Sequence, residues 1–130
     1  DYKIELSDSY IEYSAPTSDG GEYAMTNLLT KSLPITGLVA YNDYMAAGAL
    51  SVLDENGIQA PDKVSIVGFD DGLIARYVHP KLTTIRYPIQ MMAEKATRLA
   101  LVLAKSEAVS SEPMMFSPTL VRRNSVEKVV

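Results

Sequence analysis

Residues 64–71 read Val-Ser-Ile-Val-Gly-Phe-Asp-Asp, and the expected fold follows from this stretch. Branched apolar residues run almost unbroken into a glycine, an aromatic residue and two carboxylates, which is typical of a buried parallel strand that ends at a polar site. Residues 37–43, Gly-Leu-Val-Ala-Tyr-Asn-Asp, have the same form. A segment with an apolar stripe at helical spacing lies between them, so the two stretches are predicted to form a right-handed βαβ unit with parallel strands.

Polar side chains follow both predicted strands. Because parallel strands end at the same edge of a sheet, we expect Asn42 and Asp70 to be neighbours there, where open α/β sheets bind ligands. Asp70 and Asp71 repel each other at a buried strand end and need hydrogen-bond donors, which a ligand rich in hydroxyl groups supplies. For Asn42 and Asp43 the alternative role is to cap the helix that follows.

The remaining elements of the α/β fold are read from periodicity and from helix and turn signals. A short strand is expected over residues 10–14, followed by a helix that opens on an Asp19/Glu22 capping box. A strand is predicted over 82–86, and a long amphipathic helix with Pro88 in its first turn follows it. Residues 106–113 are predicted to form a polar loop, and 114–122 a last strand that Pro118 makes an edge or interrupted strand.

Composition narrows the classes of protein. With 130 residues, 47% hydrophobic and 22% charged, the chain fits one soluble globular domain. It has no cysteine, which suits a cytoplasmic location, and neither a membrane span nor a signal peptide is visible. A net charge of −4 argues against direct binding of nucleic acid by this segment. The pair Arg122-Arg123 is interpreted as a solvated strand end.

Two classes of function remain after these exclusions. The first is a binding module in which Asn42 and Asp70 hydrogen-bond a polar small molecule such as a sugar, with Tyr41, Phe69 or Tyr87 as an apolar wall. The second is a Mg²⁺-dependent phosphoryl-transfer or receiver-like domain, which would need a glycine-rich phosphate loop that the sequence lacks. Enzymes rank low because His79 is the one histidine and has no nucleophile pattern around it. No catalytic residue, metal ligand or cofactor is assigned.

Four runs in register carry a resemblance to a known family. They are Ala-Tyr-Asn-Asp-Tyr-Met-Ala-Ala-Gly-Ala at 40–49, the stretch at 64–71, Leu-Thr-Thr-Ile-Arg at 82–86 and Pro-Thr-Leu-Val-Arg-Arg-Asn-Ser at 118–125. Their order and spacing resemble the C-terminal part of LacI/GalR-family transcriptional regulators, over about residues 7–126. Ala-Arg-Tyr at 75–77, Arg-Tyr-Pro-Ile at 86–89 and the closing run are most similar to galactose-responsive members.

The resemblance implies a type I periplasmic-binding-protein-like fold, with an effector sugar between two α/β subdomains, a homodimer, and a separate headpiece that binds operator DNA. Residues 1–130 would be a partial effector-binding domain without the headpiece. Residues 1–80 would form the C-terminal subdomain core, 81–113 the crossover strand and helix that belong to the N-terminal subdomain, and 114–130 a return strand and tail. Without that subdomain, we expect the apolar stripe of the long helix to pack on another chain, a swapped element or in an altered position.

The resemblance also implies roles for particular residues. The sugar would be contacted by Asn42 and Asp70, and the pocket lined by Tyr87 and, near the Gly-Gly helix start, by Pro16 and Thr17. Contacts between the two copies of a dimer would fall on Ala47, Ala75, Arg76, Tyr77 and Val78. The implied function is effector sensing in a galactose-type, sugar-responsive repressor, and the alternative on the same fold is a periplasmic sugar-binding protein of a transporter.

Overall fold

The computed structural model describes residues 5–105 and 113–128. The helices in this part are α1 (Ser18–Thr30), α2 (Asp43–Glu55), α3 (Ile74–Tyr77) and α4 (Ile89–Ala104). The strands are β1 (Gly37–Val39), β2 (Ser65–Phe69), β3 (Thr83–Arg86) and β4 (Thr119–Val121), and a 3-10 turn at Asp8–Tyr10 precedes them all. The predicted polar loop at 106–113 lies outside the described residues, except for Pro113.

The strands form one sheet in the order β1-β2-β3-β4. β1, β2 and β3 are parallel, with Leu38 opposite Ile66 and Gly68 opposite Thr84, while β4 runs antiparallel to β3. This confirms the predicted α/β class and the βαβ unit around α2. β4 lies at the edge of the sheet, where a strand preceded by a proline is tolerated, but it is shorter than the predicted 114–122. The assignment of residues 81–113 to a second subdomain stays a prediction, and β3 itself lies inside this sheet.

The core lies between the sheet and the pair of helices α1 and α2. Its largest fully buried apolar side chains are Met25, Leu53, Ile66 and Leu82. Burying each of them stabilises the fold by about 1.5–3 kcal/mol. The two helices approach closely because Gly48 of α2 faces the start of α1, where a Cβ would overlap a backbone carbonyl oxygen. The apolar residues of α1 that repeat at helical spacing, Ala24, Met25 and Leu28, are buried in this core.

Two predictions at the start of the chain are wrong. Residues 11–14 form no strand in the described structure, because this segment lies against α1, where Glu12 pairs with Lys31 at 2.5 Å, and not beside the sheet. α1 does not open on an Asp19/Glu22 capping box. Its cap is Thr17, whose hydroxyl accepts a hydrogen bond from the Gly20 amide at 3.1 Å, so Asp19 falls within the first turn.

The long helix α4 has no buried residue. Ile89, Leu101 and Leu103 are more than half exposed, and Met114 and Phe116 line one shallow groove together with the stripe. Among the described residues the stripe is therefore largely exposed, and its packing on another chain, on a swapped element or in an altered position stays a prediction. Among the described residues, none of the helices has the length and apolar character needed to cross a bilayer.

Candidate functional site

The amino-terminal ends of α1 and α2 meet at Asn42. Its Oδ1 accepts a hydrogen bond from the Met45 amide at 2.8 Å, which caps α2, and its Nδ2 donates to the Pro16 carbonyl at 3.0 Å. Pro16 directly precedes Thr17, the cap of α1. The structure thus brings together three of the predicted ligand-binding residues, and it shows that Asn42 has the capping role that was the alternative.

Asp70 lies at the same edge of the sheet as Asn42. Val39 of β1 is opposite Val67 of β2, and Asn42 and Asp70 each follow their strand residue by three positions. Its amide donates to the Ile85 carbonyl at 2.9 Å, and its φ of 107° lies in the left-handed region. The residue itself is exposed. Asp70 therefore leaves the sheet in a conformation that turns the chain sharply after β2.

An aromatic pair stands beside Asp70. The rings of Phe69 and Tyr87 stack with their centroids 5.7 Å apart and their planes at 27°. The negative charge of Asp70 raises the pKa of Tyr87, and burial adds to this. Asp70 and Tyr87 both line one cavity beside the ends of β2 and β3.

The sequence suggested only a capping role for Asp43, but its side chain accepts hydrogen bonds from the turn after β2 and from β3. Its carboxylate is buried, with Oδ1 accepting from the Thr84 hydroxyl at 2.6 Å and Oδ2 from the Gly72 amide at 2.8 Å. It fits because Gly68 lacks a Cβ, which would overlap Oδ1. Burial raises the pKa of Asp43 despite these two hydrogen bonds.

Asp71 is the centre of an arginine cluster formed by Arg76, Arg86 and Arg123. Its Oδ1 accepts from Arg123, its Oδ2 accepts from Nε of Arg86 at 2.6 Å, and Arg76 approaches Oδ2 at 3.7 Å. The Asp71 side chain is only 2% exposed. Burial acts to raise its pKa, but the hydrogen bonds and charges of Arg123 and Arg86 outweigh burial, and the pKa is lowered.

Arg123 corrects one reading of the sequence. The Arg122-Arg123 pair was interpreted as a solvated strand end, yet the Arg123 side chain is 14% exposed and also donates to the Leu82 carbonyl at 2.8 Å. Its partner carboxylate is 52 residues away along the chain.

The three carboxylates at the strand ends therefore differ in the donors that surround them. Asp43 and Asp71 have both oxygens hydrogen-bonded by donors of this chain, and both side chains are buried. In the part of the chain that the structure describes, no lysine or arginine forms an ion pair with Asp70. Asp70 is thus the carboxylate best placed to receive hydroxyl groups of a ligand.

The residues predicted for a dimer contact are distributed over α2 and α3. Ala75 is 0% exposed and packs in the core of this chain, and its place in a dimer contact stays a prediction. Ala47 is partly buried on α2, and Val78 packs partly against the core. Arg76 is exposed, and Tyr77 is 79% exposed, so these two residues form the accessible part of the set.

Comparison with known proteins agrees with this architecture. Residues 4–126 match the family model of the periplasmic binding protein-like domain. The chain is 50% identical over 123 residues to the HTH-type transcriptional regulator GalR of Escherichia coli K12 and 51% identical over 123 residues to GalS of Salmonella typhimurium LT2. Each match covers 95% of this chain and 36% of the relative, so the chain spans just over a third of the length of these relatives.

Solved structures give the same result. The transcriptional regulator CelR in its complex with cellobiose superposes with a TM-score of 0.88 at 28% identity, over 94% of this chain and 37% of that one. The Escherichia coli repressor AscG superposes with a TM-score of 0.83 at 33% identity, over 96% of this chain and 45% of that one. These proteins are transcriptional regulators and not enzymes, in agreement with the low rank of enzymes on sequence grounds. The chain therefore belongs to the periplasmic-binding-protein-like family, in the form found in LacI/GalR-type transcriptional regulators.

Proposed function

We propose that this chain is the effector-sensing and dimerisation part of a cytoplasmic, sugar-responsive repressor whose effector is galactose or a similar sugar. The observation that carries the proposal is the Asp70 carboxylate, which has no cationic partner among the described residues and stands beside the stacked rings of Phe69 and Tyr87. A carboxylate accepts hydrogen bonds from sugar hydroxyls, and aromatic rings offer an apolar surface to the C–H face of a sugar.

Asn42 can take part in sugar binding without giving up its cap. Its amide has two N–H donors and two acceptor lone pairs, and the hydrogen bonds to Met45 and Pro16 use one of each. One donor and one lone pair remain for a ligand at the same sheet edge as Asp70. Tyr87 adds its hydroxyl, and Pro16 and Thr17 contribute the wall at the start of α1.

The regulatory mechanism follows from a two-lobed protein. A sugar held between the lobes favours the closed form, and a closed form that positions the headpieces poorly for the operator binds DNA less tightly. By linkage, operator DNA then weakens sugar binding by the same factor. The operator contact itself belongs to the headpiece, consistent with the acidic balance of this segment.

The dimer surface that fits this function lies on α2 and α3. Ala47, Arg76, Tyr77 and Val78 are the proposed contacts, and large apolar side chains are exposed in the same region, with Leu73 at 70% and Tyr77 at 79%. Exposed apolar side chains close together on neighbouring helices are the usual composition of an interface core. The sugar site and this surface are connected by the short segment from Asp70 to α3.

Calorimetric titration of the full-length protein that carries this chain tests the proposal. We expect heat with galactose and much less with glucose or ribose, and Asp70→Ala should weaken galactose binding while operator affinity in a gel-shift assay is kept. Asp62→Ala, which changes an exposed aspartate in a turn, is the matched control. No heat with galactose would remove galactose as the effector, and an Asp70→Ala variant that binds like the wild type would remove the assigned contact.

The main alternative, a periplasmic sugar-binding protein, shares the fold but would deliver its sugar to a transporter. GalR and GalS, which are about half identical to this chain, are HTH-type transcriptional regulators. This similarity favours the repressor. The upstream gene sequence separates the two, since a helix-turn-helix indicates the regulator and a signal peptide the binding protein.

A further inference from the structure

Asp71 is buried directly beside the proposed sugar contact, and both of its carboxylate oxygens accept hydrogen bonds from arginines of this chain. Arg123 occupies Oδ1, and Arg86 reaches Oδ2 with both Nε at 2.6 Å and Nη2 at 2.5 Å. A carboxylate held by two guanidinium groups in this way is fixed in orientation, because such charge-assisted hydrogen bonds are short and directional. Asp71 therefore acts on the protein around it and not on the ligand.

The ion pair between Asp71 and Arg86 joins the residues next to the two proposed contacts. Asp71 directly follows Asp70, and Arg86 directly precedes Tyr87. The β2–β3 ladder ends at the residue before Asp70. The ion pair thus ties β2 and β3 together immediately beyond the point where backbone pairing stops.

The backbone at this point needs such a restraint. Asp70 and Asp71 have φ values of 107° and 52°, a left-handed region that residues other than glycine hold only when surrounding contacts impose it. The backbone amide of Asp71 makes only a long hydrogen bond, 3.4 Å to the Thr84 hydroxyl, whereas its carboxylate accepts from Arg86 at 2.6 Å. The side chain therefore restrains Asp71 more strongly than its amide does. If those bonds were lost, the turn would relax and the Asp70 carboxylate would leave the side of Tyr87.

We propose that the Asp71–Arg86 ion pair is a positioning device for the sugar site, which holds Asp70 beside Tyr87 and so sets the affinity for the sugar without touching it. This inference rests on the proposed function, since it takes a sugar as the ligand of Asp70 and Tyr87. Arg76 of α3, a proposed dimer contact, approaches the same carboxylate at 3.7 Å. Asp71 therefore lies next to both the proposed sugar site and the proposed dimer surface.

Graded changes at Arg86 test this inference in the full-length protein. Arg86→Lys keeps the charge but loses the two-pronged contact, and Arg86→Gln loses both. We expect galactose affinity to fall about threefold in the first variant and about tenfold in the second, the size of effect found for residues in one ion-pair network. Arg122→Gln, at an exposed neighbouring arginine, should leave galactose affinity unchanged.

A double variant shows whether the two residues act as one unit. If they do, the double variant Asp71→Asn/Arg86→Gln should lose no more galactose affinity than the single variant that binds galactose less tightly. Losses that multiply would overturn the inference, because Asp71 and Arg86 would then act separately. Arg86 variants that bind galactose like the wild type but unfold more easily would show a purely structural ion pair.

Tyr87 gives a second readout that does not require a sugar. The nearby charge of Asp70 raises the pKa of Tyr87, so misplacing Asp70 should lower that pKa towards the usual tyrosine value. Titration of carbon-labelled tyrosine by NMR should show this shift in Arg86→Gln and not in Arg122→Gln. If the wild type binds none of the sugars tried, the proposed function fails, while an unchanged Tyr87 pKa in Arg86→Gln would independently refute the positioning role.

Discussion

Replacing Asn42 by alanine removes two hydrogen bonds at the point where α1 and α2 meet. The bond from the Met45 amide caps α2, and the loss of an asparagine cap costs about 1 kcal/mol. The bond to the Pro16 carbonyl links the two helix starts, and leaving that carbonyl without its donor costs about 1 kcal/mol more. We therefore expect Asn42→Ala to lower the free energy of unfolding by about 2 kcal/mol.

Asn42→Asp tests the second contribution. It keeps an oxygen that accepts from the Met45 amide but sets a second carboxylate oxygen against the Pro16 carbonyl, so we expect a loss at least as large as that of alanine, caused by repulsion between two acceptors and by the burial of a charge. Urea denaturation followed by circular dichroism measures both, with Asn124→Ala as an exposed control. A loss below about 0.5 kcal/mol in Asn42→Ala would refute the capping argument, since caps of this type cost at least that much.

Galactose titration of the same variants decides whether Asn42 has a second role. If the asparagine only caps the helix, the loss of affinity in Asn42→Ala and Asn42→Asp should follow the loss of stability. If its remaining N–H donor contacts the sugar, both variants should lose more affinity at a temperature where each is fully folded than their stability explains. The two measurements together distinguish a cap from a cap that also binds ligand.

Three further predictions follow from the packing and electrostatics. Gly48→Ala would place a Cβ on the Ser18 carbonyl oxygen, and we expect it to cost about 3 kcal/mol in urea denaturation, so a variant as stable as the wild type would contradict the close helix contact. The pKa of Asp71 is lowered in the folded chain, so its contribution to stability is complete above the unfolded value of about 3.9 and is lost as pH falls through the folded pKa. The difference in unfolding free energy between wild type and Asp71→Asn should therefore shrink on acidification, and a difference that is independent of pH would argue against the arginine cluster as its cause. Tyr77→Glu should weaken self-association in analytical ultracentrifugation without changing galactose affinity, and an equally tight dimer would exclude α3 from the interface.

The parallel core of the fold was predictable because its signals are local. The stretch at 64–71 and the run at 37–43 each carry the hydrophobic pattern of a buried strand, and the Asn42 cap and the Asn56-Gly57 stop delimit the helix between them. Where local signals competed, the prediction failed. Thr17 and Asp19 both suit a helix cap, and the choice between them depends on how α1 packs on its neighbours, which the sequence pattern does not contain.

The long helix shows a different limit of prediction from sequence. Its amphipathic pattern was predicted correctly because it is a property of the segment itself, whereas Pro88, predicted in the first turn, is the cap residue that precedes the helix. What covers its apolar stripe is a property of the whole assembly. In the part of the chain that the structure describes, α4 lines one groove together with Met114 and Phe116, and Leu101 and Leu103 are more than half exposed.

The strand-end aspartates show most clearly why a site cannot be read from residue types alone. Asp70 and Asp71 are adjacent and chemically identical, yet the fold gives Asp71 two arginines that lie 15 and 52 residues further along the chain. Those arginines neutralise one carboxylate and remove it from the surface, so the neighbouring one can remain without a cationic partner at low electrostatic cost. Tertiary contacts therefore give the two aspartates at the end of residues 64–71 different environments, in which Asp71 is held by arginines at the turn and Asp70 stays exposed at the edge of the sheet.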